Sequence, residues 1–262
     1  MSDGDNKGNR KIRFRHVLVW TVAIVLTAIA VGLLLSLLPD DDAEVDTLLN
    51  ETLLIETEPL WTEEESEEET AETEYVMVVP NPGIDEQLLT VNDWSRPGEL
   101  CDTITNVVIH YLANPGTTAQ QNHDYFESLK DNWELIESGQ ITEDEAVSMS
   151  ANFVIGTEGE IIECVPPGEI AYASNSANHY SVSIENCHLD DTGMFTEATY
   201  ESLVKLTAYI VDMYGLERDD IIRHYDVTGK MCPLYYVEHE DKWEEFKDNV
   251  MSYIEECREA AN

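Results

Sequence analysis

Apolar and polar positions divide the chain into regions with different periods. From Val17 to Leu38, VLVWTVAIVLTAIAVGLLLSLL, 22 residues pass without a charge, enough helix to cross a hydrocarbon core of about 30 Å. Residues 39–75 reverse the pattern, with sixteen acidic side chains and no Lys or Arg. That composition cannot bury enough apolar surface to offset chain entropy, so it predicts a solvated, self-repelling linker. Residues 76–100, VMVVPNPGIDEQLLTVNDWSRPGEL, regain apolar groups around Pro80 and Pro82 and read as a lead-in on the outside of a domain.

From about residue 101 the periods alternate between those of strand and helix. ITNVVIHYL (104–112) is an apolar, β-branched run expected to be a buried strand. A helix from about Ala119 to Ser138 would carry Phe126, Leu129, Trp133 and Ile136 on one face and stop at Gly139. NFVIGTEGEIIECVP predicts a hairpin, and SVSIENC (181–187) predicts a strand. Thr196 caps a helix bearing Leu203, Leu206, Ile210 and Met213 that ends at Gly215. IIRHYDV is the next expected strand, and a final helix buries Trp243, Phe246, Val250, Tyr253 and Ile254. Strands alternating with helices define an α/β fold, a mixed central sheet packed by helices.

Charge sets the orientation of the apolar segment. Lys7, Arg10, Lys11, Arg13 and Arg15 precede it and Asp40, Asp41 and Asp42 follow. The positive-inside rule then places the N-terminus in the cytoplasm and the remainder outside, a single-pass protein of the cell membrane. A cleaved signal peptide is the competing reading, although its apolar core runs to only about 7–15 residues. The expected segments are a basic cytoplasmic tail over 1–16, a transmembrane helix over 17–38, an acidic flexible linker and lead-in over 39–100, and a folded domain over 101–262. A flexible 39–100 has a root-mean-square reach of roughly 45 Å. The net charge of −40 excludes broad contact with nucleic-acid phosphates. Five cysteines, an odd count, are too few for a disulfide-dense scaffold.

His224 and Cys232 lie eight residues apart in IIRHYDVTGKMCP, a spacing that allows two ligands of a catalytic zinc but also suits a strand-end histidine and a buried cysteine. His110 closes another apolar strand and makes a third donor available. His16, His123, His179, His188 and His239 have less suitable surroundings and are not assigned to metal. Glu185 falls within an otherwise apolar strand, where burial would raise its pKa toward that of a general base, or where it shares one wet face with Ser181 and Ser183. Lys230 is either an oxyanion partner or a solvated turn lysine.

VVIHYLANPGTTAQQN, NFVIGTEGEIIECVPPGEIAYASN, SVSIENCH and RHYDVTGKMCP, in that order over 106–233, resemble the zinc-dependent N-acetylmuramoyl-L-alanine amidases of the superfamily that includes phage-lysozyme-type amidases and peptidoglycan recognition proteins. The resemblance implies His110, His224 and Cys232 as Zn2+ ligands, with Glu185 as catalytic acid/base and Lys230 as oxyanion partner. It also implies action on peptidoglycan at the amide between N-acetylmuramic acid and L-alanine; the catalytic domain itself is expected to be a monomer. Asn114, Tyr172, Ser174 and Asn175 lie in loops that would line the substrate cleft. Many relatives carry a tyrosine, often followed by His, before the FVI segment, where this chain has Ala151 and Asn152. A non-catalytic peptidoglycan-binding module and a zinc peptidase cutting another stem-peptide amide are the competing readings.

Overall fold

The period-2 alternation of the apolar strands sorts their side chains onto two faces of one sheet. The structure is a computed structural model that describes residues 76–261. The expected tail, transmembrane helix and acidic linker up to residue 75 lie outside the described residues. Among the described residues, no helix is long and apolar enough to cross a membrane.

Six strands, β1 (Ile84–Glu86), β2 (Asn106–Ile109), β3 (Phe153–Ile155), β4 (Ile161–Glu163), β5 (Ser181–Asn186) and β6 (Ile221–Arg223), form a sheet of order β1-β4-β3-β5-β2-β6. The hairpin β3-β4 is antiparallel and every other pairing is parallel. Parallel strands need crossovers, and the helices that supply them cover both faces. Val107, Ile109, Val182, Ile184, Phe153, Ile155 and Ile221 face the larger core. There they meet Leu203, Leu206 and Ile210 of helix Glu197–Tyr214 and Trp243, Phe246, Val250 and Ile254 of helix Glu240–Ala261. Leu89, Phe126, Val154 and Ile162 build a smaller core on the opposite face. Thr196 caps its helix by accepting from the Thr199 N–H, and Gly215 at φ +62° ends it.

Three expectations need correction. The single helix over 119–138 is two, Ala119–Ser128 and Asn132–Glu137, joined by a 3₁₀ turn over Leu129–Asp131. The tighter turn shifts the helical phase, so Trp133 leaves the buried face for the surface (44% exposed) and its indole N–H donates to Asp93. IIRHYDV is a strand only to Arg223. The Asp226 carboxylate accepts the Arg223 N–H, and the next residue, His224, opens the short helix His224–Thr228.

The third correction concerns residues 76–100, which are not a flexible lead-in. They contribute edge strand β1, and Val79 and Leu89 are buried in opposite cores. The buried carboxylate of Asp212, on helix Glu197–Tyr214, accepts the N–H groups of Val78 and Val79 at 2.7 and 2.9 Å. The folded unit therefore begins well before residue 101. Short β-runs interrupted by proline carry little periodic signal, whereas a buried acceptor fixes them directly. Asp212→Ala is expected to cost roughly 1–3 kcal/mol by leaving two N–H donors without this partner. Urea unfolding would measure that loss, and limited proteolysis would show new cuts within 76–89.

Candidate metal centre and active site

Register brings the chemistry-bearing residues together. Ile109 pairs with Ile184 on one side and with Arg223 on the other. The next residue along each of these three parallel strands is His110, Glu185 and His224 respectively. All three therefore emerge at one carboxyl end of adjacent strands, the edge where open α/β sheets place their ligands. Pleating matters as well. His110 and Glu185 follow core-facing Ile109 and Ile184, so they point to the opposite face.

Cys232 arrives from a different direction. After helix His224–Thr228, Gly229 at φ +78° reverses the chain. The Tyr225 N–H donates to the Cys232 carbonyl at 2.9 Å, and the Cys232 N–H donates to that of Lys230 at 2.7 Å. This return sets Cys232 Sγ 3.8 Å from His110 Nδ1. Donor atoms of His110, His224 and Cys232 all lie within 4.8 Å of one another, and all three residues are buried. Zinc bonds of about 2.0–2.3 Å at tetrahedral angles separate donors by roughly 3.3–3.6 Å, so small movements would close the set. His224 Nδ1 is buried without a hydrogen-bond partner among the described residues. A cation would satisfy it, and the donor set fits zinc.

Electrostatics prepare both rings as neutral ligands. Burial, the neighbouring His224 and Lys230 together hold His110 well below the ordinary histidine pKa. Burial and Lys230 lower that of His224. Burial, helped by the charge of Glu185, pushes the Cys232 thiol up to about 12, so a thiolate there needs a cation beside it. Glu185 Oε1 lies 3.9 Å from His110 Nδ1, while Oε2 is buried without a partner among the described residues. Burial raises the Glu185 pKa to about 7, against an opposing pull from Lys230.

Lys230 has a distinctive electrostatic setting. Arg96, Lys130, Lys205, Arg218, Arg223, Lys242, Lys247 and Arg258 each have a carboxylate within 4.0 Å. Among the described residues Lys230 is the one Lys or Arg without such a pair. Its ammonium is exposed and yet influences His110, Glu185, His224 and Cys232. An unneutralised cation at the rim of this group is free to meet a developing negative charge.

The expected substrate residues separate. Ser174 is fully buried and its Oγ lies 2.9 Å from His110 Nε2, so it stands behind the histidine rather than lining a cleft. Asn175 Oδ1 lies 2.8 Å from His224 Nε2. Tyr172 is half-buried on another side, where burial and then the charges of Glu99 and Asp93 raise its pKa. Asn114, with Leu112, Thr117, Gln121 and Tyr125, lines an open cavity of about 310 Å³ that begins two residues beyond His110. Two asparagines escaped sequence reasoning. Asn186 Nδ2 donates to the His110 carbonyl, pinning the end of β2. Asn152 accepts from the Ser183 N–H and hydroxyl and donates toward the Val165, Pro166 and Glu169 carbonyls. Ala151 and Asn152 are both fully buried and give the cleft no tyrosine-like donor. Their one sequence signal is polarity beside an apolar strand, which Asn152 and Asn186 share with many surface residues.

Fold and site together define an α/β protein with three candidate metal donors beside a half-buried glutamate. The chain belongs to the N-acetylmuramoyl-L-alanine amidase family, whose model matches residues 101–234. It is 29% identical over 176 residues to the N-acetylmuramoyl-L-alanine amidase CwlL of Bacillus licheniformis, covering 63% of this chain and 45% of that protein. It is 30% identical over 183 residues to the N-acetylmuramoyl-L-alanine amidase BlyA of Bacillus subtilis (strain 168), covering 62% and 45%. The chain thus spans about half the length of the curated relatives it matches. Among solved structures it resembles PlyL, with TM-score 0.52 and 17% identity over 64% of this chain and 96% of that one. It also resembles the catalytic domain of PlyG, with TM-score 0.52 and 18% identity over 65% and 94%. At these identities the structural likeness is one of fold.

Proposed function

We propose that this protein hydrolyses peptidoglycan at the amide joining the lactyl group of N-acetylmuramic acid to L-alanine of the stem peptide. The observation that carries the reading is the convergence of His110, His224 and Cys232 beside Glu185 at one sheet edge, in a chain of the amidase family. His110, His224 and Cys232 would hold zinc, which when bound polarises a carbonyl and lowers the pKa of a bound water. Glu185, held by its strand against His110, takes the proton of the attacking water and returns it to the leaving amine. Lys230 donates to the oxyanion of the tetrahedral intermediate. The cavity past Leu112 accepts the substrate beside Asn114.

The sequence supports a location as well. The uncharged segment 17–38, with basic residues before it and acidic ones after, anchors the chain in the cell membrane with its catalytic domain on the outer side. The acidic stretch 39–75 then spaces the domain, as a monomer, from the bilayer. The reading is tested by incubating the full chain with sacculi, with and without a zinc chelator, and identifying released muropeptides by mass spectrometry. New L-alanine amino termini that disappear on chelation are expected. Release of other termini, or none, would sink it. Lys230→Met is expected to lower kcat roughly 10²-fold with zinc content and KM little changed, measured on soluble muropeptides.

A further inference from the structure

Ser174 and Asn175 are adjacent residues, and each reaches the Nε2 of a different histidine in the metal centre. Asn175 Oδ1 can only accept a hydrogen bond, so the proton it receives must be carried on His224 Nε2. That leaves the His224 Nδ1 lone pair free, and this is the buried nitrogen without a partner. Ser174 Oγ can accept from His110 Nε2 in the same way, which leaves His110 Nδ1 facing Cys232 Sγ at 3.8 Å. A hydroxyl could also donate, but only acceptance presents Nδ1 as a ligand.

The loop around them is built to hold this geometry. Asn178 Oδ1 accepts the N–H groups of Ala173 and Ser174 at 3.2 and 2.6 Å. Asn175 sits at φ +55°, a left-handed conformation that asparagine tolerates better than most residues. Ser174 is fully buried and has no exposed surface to offer a substrate.

We propose that Ser174 and Asn175 are positioning residues for the metal centre, fixing the tautomer of both histidines so that Nδ1 of each is the ligating nitrogen. The inference deepens the function proposed above and rests on it for the metal. Outer-shell partners of this kind orient ligand rings and raise their basicity, and losing one typically costs about 10–100-fold in metal affinity.

The test uses the full chain labelled with ¹⁵N-histidine. In the metal-free protein, long-range ¹⁵N–¹H correlations are expected to show Nε2–H tautomers for His110 and His224. Zinc affinity, read by chelator competition, is expected to fall about 10–100-fold in Ser174→Ala and in Asn175→Gly. Glycine is chosen because it keeps the left-handed backbone while removing the acceptor. Asn175→Asp, which retains an acceptor, is expected to restore most of the loss, and circular dichroism checks that all variants fold. An Nδ1–H tautomer at either histidine, or wild-type zinc affinity in either truncated variant, would overturn the proposal. A wild-type chain that binds no zinc would overturn it too. Zinc bound with the expected tautomers by a chain that releases no L-alanine termini would support the positioning role and remove the amidase reading.

Discussion

His110→Ala is expected to abolish zinc binding and amide hydrolysis together. His110 stands on the central strand of the three that meet at the site, and both of its ring nitrogens are engaged, one toward Ser174 Oγ and the other toward Cys232 Sγ. Removing the ring leaves two donors, His224 and Cys232, where a catalytic zinc needs three. The loss in zinc affinity should exceed the roughly 10–100-fold that removal of an outer-shell partner costs. It should also exceed any effect on folding, because the strand itself is held by Val107, Val108 and Ile109, all fully buried. Elemental analysis and chelator competition measure the first effect, and thermal unfolding of the metal-free protein measures the second. One zinc per chain at wild-type affinity in the folded variant would remove His110 from the ligand set. Loss of zinc with hydrolysis retained would remove zinc from the reaction.

How far this centre was legible in the sequence depends on which interaction positions each residue. Helix Glu197–Tyr214 was legible because its cap, its apolar stripe and its terminal glycine are all local signals. The β3-β4 hairpin was legible for the same reason. The convergence of His110, Glu185 and His224 depends on strand register, Ile109 opposite Ile184 and Arg223, and register is set by packing between segments far apart in the chain. The sequence resemblance named three candidate ligands and the glutamate, but it could not show that His110, Glu185 and His224 follow directly on paired residues. Strand β1 was missed because three residues of an edge strand have no period to read. The buried Asp212 that holds the preceding segment lies on a helix far along the chain. Ser174 and Asn175 were read as substrate contacts because a polar loop near a cleft usually faces solvent. Here Ser174 is buried with its Oγ on His110, whereas Asn175 stays exposed while its Oδ1 reaches His224.

Glu185→Gln is the substitution that separates chemistry from binding. Glutamine keeps the size of the side chain and its place after Ile184, but it cannot accept and return a proton. A general base typically contributes about 10²–10⁴-fold, so kcat should fall by that factor while KM and zinc content stay near wild type. Stability points the same way. Burial raises the Glu185 pKa to about 7, and one of its oxygens has no partner among the described residues, so the ionised carboxylate is not what holds the fold together. The unfolding midpoint of the metal-free variant should therefore match or exceed that of the wild type at neutral pH. Steady-state kinetics on a soluble muropeptide, with zinc measured on the same sample, reads both quantities. Hydrolysis within about tenfold of wild type would place the proton transfer elsewhere. A matching loss of zinc would instead make Glu185 part of the metal centre, whose Oε1 already lies 3.9 Å from His110 Nδ1.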